Sequence, residues 1–101
     1  MSEIWVGKTE VSKAKGCELD FHGVGAFVWW ATQAGSEKEF LLKLQLALDY
    51  YKLILIEASM IRQFSESDEV SDDFYEMVEQ ARQNERWTVF GTFYSWPHHS
   101  G

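Results

Sequence analysis

Bulky apolar residues occupy consecutive positions in three segments of the chain, 26–31, 53–56 and 87–94. Strands of a sheet with one solvated face alternate apolar and polar residues, and these segments do not. We expect two helices of so short a chain to cover one face of the sheet. The other face is then expected to contact residues 1–24, a second copy of the chain, a ligand or another protein.

Two helices are predicted between the strands. Ser36 and Glu39 have the spacing of a capping box. The helix that follows carries one apolar stripe at helical spacing, made of Phe40, Leu44, Ala47, Leu48 and Tyr51. It also carries a second apolar stripe, made of Leu42, Leu46 and Tyr50. This stripe predicts either a hairpin or helix that covers it or an intermolecular contact. The second helix follows Ser71 and has a single narrow stripe, formed by Phe74, Met77, Val78 and Ala81.

The order of elements is similar to the split β-α-β, or ferredoxin-like, sandwich. The sequence therefore predicts one α+β domain over residues 1–101, in which two helices pack on one face of an antiparallel sheet. Residues 1–24 are expected to form an extra strand or hairpin, 25–96 the sandwich and 97–101 a tail. Many unrelated functions use this fold, so the resemblance in element order does not select one.

Charge is unevenly distributed along the chain, whose net charge is −7. Between Met60 and Glu85, two arginines stand against eight carboxylates. Such a surface argues against binding to a phosphate backbone, which requires lysine and arginine. It is compatible with a basic protein partner or with solubility alone. The candidate partner-binding residues are Glu66, Asp68, Glu69, Asp72, Asp73 and Glu76.

No catalytic signature is present in the sequence. Cys17 and His22 lie five positions apart, so a regular strand would point them to opposite faces and would not pair a nucleophile with a base. His98 and His99 are adjacent in the predicted tail, which does not favour a closed metal site. The acidic segment 66–73 lacks the turn glycine and the final glutamate of an EF-hand loop. We predict no catalytic residue, metal or cofactor, and an enzyme is the less favoured interpretation.

The location predicted for the chain is the cytoplasm. Cys17 is the single cysteine, so an internal disulfide is excluded, and residues 1–4 do not resemble the start of a secretory signal. The longest apolar stretch is far shorter than the roughly 20 residues that cross a bilayer. We expect no contact with a membrane.

Two functional hypotheses remain open. The favoured one is a non-catalytic protein-interaction module that forms a homodimer and binds a basic partner, as small acidic inhibitors and immunity-type proteins do. The alternative is a dimeric ferredoxin-like protein with an aromatic-lined pocket for a small molecule, in which His22 is the polar candidate. The residues expected to line the dimer contact or the pocket are Trp29, Trp30, Trp87, Phe90 and Tyr94.

Overall fold

The computed structural model describes residues 3–17 and 25–96, with the side chains of 92–96 excepted. Four strands and two helices follow one another in these ranges. They are β1 (Glu3–Lys13), β2 (Gly25–Ala34), α1 (Glu37–Tyr51), β3 (Leu53–Gln63), α2 (Asp72–Gln83) and β4 (Val89–Trp96).

The strands form one antiparallel sheet in the order β3-β1-β2-β4. This confirms the predicted α+β class, and β2-α1-β3 is a split β-α-β unit because β1 lies between its two strands. The order differs from that of a ferredoxin-like sheet. The N-terminal segment, expected as an extension, supplies a central strand, because β1 forms ladders with β2 on one side and with β3 on the other.

The two helices lie on opposite faces of the sheet, not on one face as predicted. Val28 and Trp30 of β2 belong to the core under α1, whereas Ala31 belongs to the core under α2 and Trp29 packs against it. Successive side chains of a strand point to opposite faces. A central strand with consecutive bulky residues therefore needs cover on both sides, and each helix supplies one.

The helix caps match the sequence pattern. The Ser36 hydroxyl accepts a hydrogen bond from the Glu39 amide at 3.2 Å, while the Glu39 carboxylate accepts from the Gly35 amide at 2.5 Å. At α2, the Ser71 hydroxyl accepts from the Phe74 amide at 3.2 Å. These caps satisfy amide donors that have no partner within the first turn of a helix.

The core under α1 is closely packed and contains one buried polar pair. The Trp30 indole N–H donates to the Thr9 hydroxyl at 2.8 Å, and that hydroxyl donates to the Val28 carbonyl at 3.2 Å. Gly7 lies beneath the ring of Phe40, where a Cβ atom would stand 2.9 Å from two ring carbons. A side chain at this position would therefore overlap a fully buried ring.

The helices are offset, so that each one covers part of its face. The sheet contacts of α1 are mainly with β3 and β2, and those of α2 are mainly with β2 and β4. On the face of the sheet that carries α1, one side of this helix therefore borders the part of the sheet nearest β4. This border positions the surface described next.

Candidate protein-interaction surface

Two of the six predicted acidic residues are engaged within the chain. Asp68 pairs with Arg62 and accepts from the Ser65 amide at 3.0 Å. That backbone hydrogen bond, followed by the contact with Arg62, lowers the pKa of the Asp68 carboxyl. Glu66 pairs with Arg82, which also pairs with Glu79. These two carboxylates therefore hold the loop before α2 against β3 and α2.

The other four predicted acidic residues are exposed at the start of α2 and in the loop that precedes it. They are Glu69, Asp72, Asp73 and Glu76, and among the described residues none of them forms an ion pair. Asp72 and Asp73 lie in the first helical turn, where negative charge is favoured by the helix dipole. The structure therefore keeps four of the six together as an accessible acidic surface.

Of the predicted aromatic residues, the structure brings Trp30 and Phe90 together and places Trp29 on the other face of the sheet. Trp30 is fully buried under α1, and Trp29 packs against Phe74 of α2 on the opposite face, with ring centroids 5.2 Å apart. Phe90 is half-buried against Trp30 and Tyr51. Trp29, Trp30 and Phe90 thus belong to the two cores of a single chain.

Some predicted positions cannot be placed. The Tyr94 side chain lies outside the described part of the chain, and so do His22, His98 and His99. Cys17 is described, as a half-buried free thiol beside the core under α1.

The second apolar stripe of α1 is open to solvent. Leu42 is 61% exposed, Leu46 69% and Tyr50 72%, and Trp87 beside them is 61% exposed. We call these four side chains the α1 patch. No described hairpin or helix covers it, so one of the two alternatives left open by the sequence, cover by the chain itself, does not hold for the described residues.

The chain places the members of the α1 patch together by helical spacing and by a fixed loop. Leu42, Leu46 and Tyr50 follow one another at intervals of four residues and so form one ridge. Hydrogen bonds tie the loop before β4 to α1. Lys43 donates from Nζ to the Glu85 carbonyl at 3.1 Å, and the Thr88 hydroxyl donates to the Lys43 carbonyl at 3.4 Å.

A cleft of about 230 Å³ lies between the ridge and this loop. Its walls are mostly apolar, but they include two charged residues and the small residue Ala47. The residues that line the cleft are Lys43, Leu46, Ala47, Tyr50, Tyr51, Arg86, Trp87 and Thr88. Burial, and to a smaller extent neighbouring Tyr50, raises the pKa of the Tyr51 hydroxyl. The cleft suits one bulky apolar group.

A second exposed apolar region lies on the edge strand β3. Ile54 and Ile56 are each 51% exposed and Met60 is 63% exposed. The pairing of β3 with β1 shifts register twice, and Met60 has a φ of 53°. Irregularities of this kind bend an edge and disfavour its pairing with a further strand. We therefore regard the α1 patch as the stronger candidate surface.

Residues 3–17 and 25–96 contain no group of three or more His, Cys, Asp or Glu placed to hold a metal ion. No helix within these ranges is long and apolar enough to span a bilayer.

Comparisons with protein-family models, with curated proteins and with solved structures found no match. The assignment of function therefore depends on the geometry of this chain. The sequence predicts the ridge of the α1 patch as a second apolar stripe, with an intermolecular contact as one of two alternatives. Trp87 is the one member of the patch among the residues predicted to line a dimer contact or pocket.

Proposed function

We propose that this protein is a non-catalytic protein-interaction module and that the α1 patch is its main contact surface. The supporting observation is the exposure of four large apolar side chains on one continuous surface, held in place by a helix and a hydrogen-bonded loop. Large contiguous apolar patches on folded proteins mark interaction sites. Tyrosine and tryptophan, both present here, are enriched at such interfaces.

The energy of covering these residues is large for a protein of this size. Removing a mostly exposed aromatic or leucine side chain from water is worth about 1.5–3 kcal/mol. Covering all four is comparable with a substantial fraction of the roughly 5–15 kcal/mol that stabilises a typical domain. A partner that buries the patch would therefore gain binding free energy by removing these side chains from water.

The acidic surface supports a basic partner as a second element of the proposal. Glu69, Asp72, Asp73 and Glu76 are exposed without ion pairs among the described residues. They lie on α2, which covers the other face of the sheet, or in the loop just before it. An inhibitor or immunity-type protein would use such a surface to attract a basic target. A reduced, cytoplasmic setting belongs to the same proposal, and the free thiol of Cys17 is compatible with it.

The test is site-specific photo-cross-linking in the cells that produce the protein. A benzophenone amino acid replaces Leu46 in the patch, or Gln45 as the control, because Gln45 is exposed on the same helix but outside the ridge. We expect a discrete protein adduct from position 46 and none from position 45. Absence of an adduct from position 46, and from position 42 in a second variant, would refute the proposed contact surface.

A small-molecule site is the second candidate, supported by the cleft beside Trp87. The cleft differs from the predicted pocket, since Trp29 and Trp30 are not among its walls. Its cationic rim, Lys43 and Arg86, would favour an apolar anion. Anilinonaphthalene sulfonate is a suitable probe: saturable 1:1 fluorescence enhancement that is lost in Trp87→Ala would support this function. Unsaturable or unchanged binding in that variant would argue against it.

A further inference from the structure

We infer that the α1 patch binds the same patch of a second copy of the chain, in a two-fold symmetric dimer. The inference rests on the proposed function, because it names the occupant of that contact surface. Three features of the described residues favour a second copy: the shape of the patch, its area and the distribution of charge.

The shape of the patch is complementary to itself. The ridge of Leu42, Leu46 and Tyr50 lies directly beside the apolar cleft, and Leu46 and Tyr50 form part of the cleft wall. A two-fold contact needs one surface that carries both a protrusion and a matching recess. The ridge of one copy can then enter the cleft of the other in both directions, as helix ridges enter grooves. Ala47, the small residue in the cleft, allows the close approach.

The area of the patch is sufficient for a stable dimer. From their exposed fractions, the four side chains present on the order of 600 Å² in each copy. Two copies would bury about 1,200 Å², which reaches the lower end of the range for specific interfaces. Half-buried side chains of the cleft wall, such as Tyr51 and Thr88, would add to this value.

The distribution of charge allows two acidic copies to meet at this surface. The four carboxylates of the acidic surface lie at or just before the start of α2, on the face of the sheet opposite to α1, whereas Asp49 is exposed on α1 itself. The cleft is bordered instead by Lys43 and Arg86. A dimer through α1 directs the acidic surfaces away from each other, which reduces repulsion between two chains of net charge −7.

The first experiment is sedimentation equilibrium of the full chain at about 100 µM. We expect twice the chain mass of 11.8 kDa for the unmodified protein and a twofold lower mass for Leu46→Glu. Gln45→Glu is the matched control, because it adds the same charge on the same helix outside the ridge, and it should keep the dimer mass. Circular dichroism of each variant establishes that it is folded.

The second experiment locates the contact by cysteine cross-linking in a Cys17→Ser background. We expect mild oxidation to link two copies through Leu46→Cys, near the centre of the ridge, and not through Ile56→Cys on the edge strand. A monomer mass for the unmodified chain would overturn the inference. A dimer that survives Leu46→Glu but is lost in Ile56→Lys would also overturn it, because the chain would then associate through β3.

The two proposals fail separately. A monomer in solution, together with a photo-adduct to a different protein from position 46, would reject the second copy as occupant and keep the interaction module. Absence of both the dimer and the photo-adduct would reject both.

Discussion

Replacement of Gly7 by alanine tests the packing between the sheet and α1. The added Cβ would lie 2.9 Å from two ring carbons of Phe40 and 3.2 Å from Cγ1 of Ile61. Carbon atoms in favourable contact are about 3.5–4.0 Å apart, so the overlap with the ring is at least about 0.6 Å. Phe40 is fully buried and its ring cannot turn away into solvent.

Two effects of opposite sign decide the result of Gly7→Ala. Glycine within a strand is destabilising by roughly 0.5–1 kcal/mol relative to alanine, which favours the variant. Overpacking of a filled core costs about 1–3 kcal/mol, which opposes it. We expect the overlap to prevail, with a net loss in the free energy of unfolding on the order of 1–2 kcal/mol.

Urea unfolding followed by circular dichroism measures this loss, and two further variants make the test specific. Gly35→Ala is the matched control, since the nearest side-chain atom to its new Cβ is Glu39 Oε1 at 3.7 Å, and it should change stability by less than about 0.5 kcal/mol. Phe40→Leu removes the ring atoms, so combined with Gly7→Ala it should show a favourable coupling of about 1 kcal/mol or more. Unchanged or increased stability of Gly7→Ala, or strict additivity in the double variant, would refute the reasoning.

Three other predictions follow from described contacts. Thr9→Val should lower the free energy of unfolding by about 1–3 kcal/mol, because it leaves the buried indole N–H of Trp30 without an acceptor, and Thr9→Ser should recover part of the loss in the same urea titration. Leu44→Ala should cost about 2–5 kcal/mol, while Leu46→Ala, measured at low micromolar concentration, should stay within about 0.5 kcal/mol; similar losses at the two positions would contradict the exposure of the patch. Asp68→Asn should lower the melting temperature at neutral pH and progressively less as the pH falls through the acidic range; a difference independent of pH would exclude a role for the charge.

The sign of the Asp68 effect follows from the direction of its pKa shift. The carboxyl has a lower pKa in the folded chain than in the unfolded chain, because the Ser65 amide and Arg62 stabilise its charged form. Its contribution is therefore present above the unfolded pKa, near 4, and is lost as the pH falls through the folded pKa. The carboxyl is partly exposed, so solvent screening keeps the contribution small.

The elements of the fold could be predicted from local signals in the sequence. Ser36 and Ser71 cap the helices as expected, and the stripe of Phe40, Leu44 and Leu48 is buried. These features depend on residues a few positions apart. The interactions that stabilise them can therefore be recognised in the local sequence pattern.

The placement of the helices could not be predicted in the same way. Trp29 and Trp30 indicate a strand buried on both faces, but the expectation of both helices on one side leaves the other face to residues 1–24, a second copy, a ligand or another protein. Whether α2 returns over one face or the other depends on its long-range packing against β2 and β4. The central position of β1 likewise depends on pairing with β3, about 50 residues away, across two register shifts.

The candidate surface was predicted in part. The acidic segment was visible as composition, but the ion pairs of Glu66 and Asp68 depend on arginines that the fold brings near them. The exposure of Trp87 depends on the loop fixed by Lys43. Neither contact has a sequence spacing that identifies it.

The sheet divides the interior of this small domain into two hydrophobic cores, one covered by α1 and the other by α2. An occupant on the outer side of α1 and one at the acidic start of α2 would stand on opposite sides of the molecule and would not compete for space. A chain that made both proposed contacts would therefore bridge two neighbours, one on each side of the sheet.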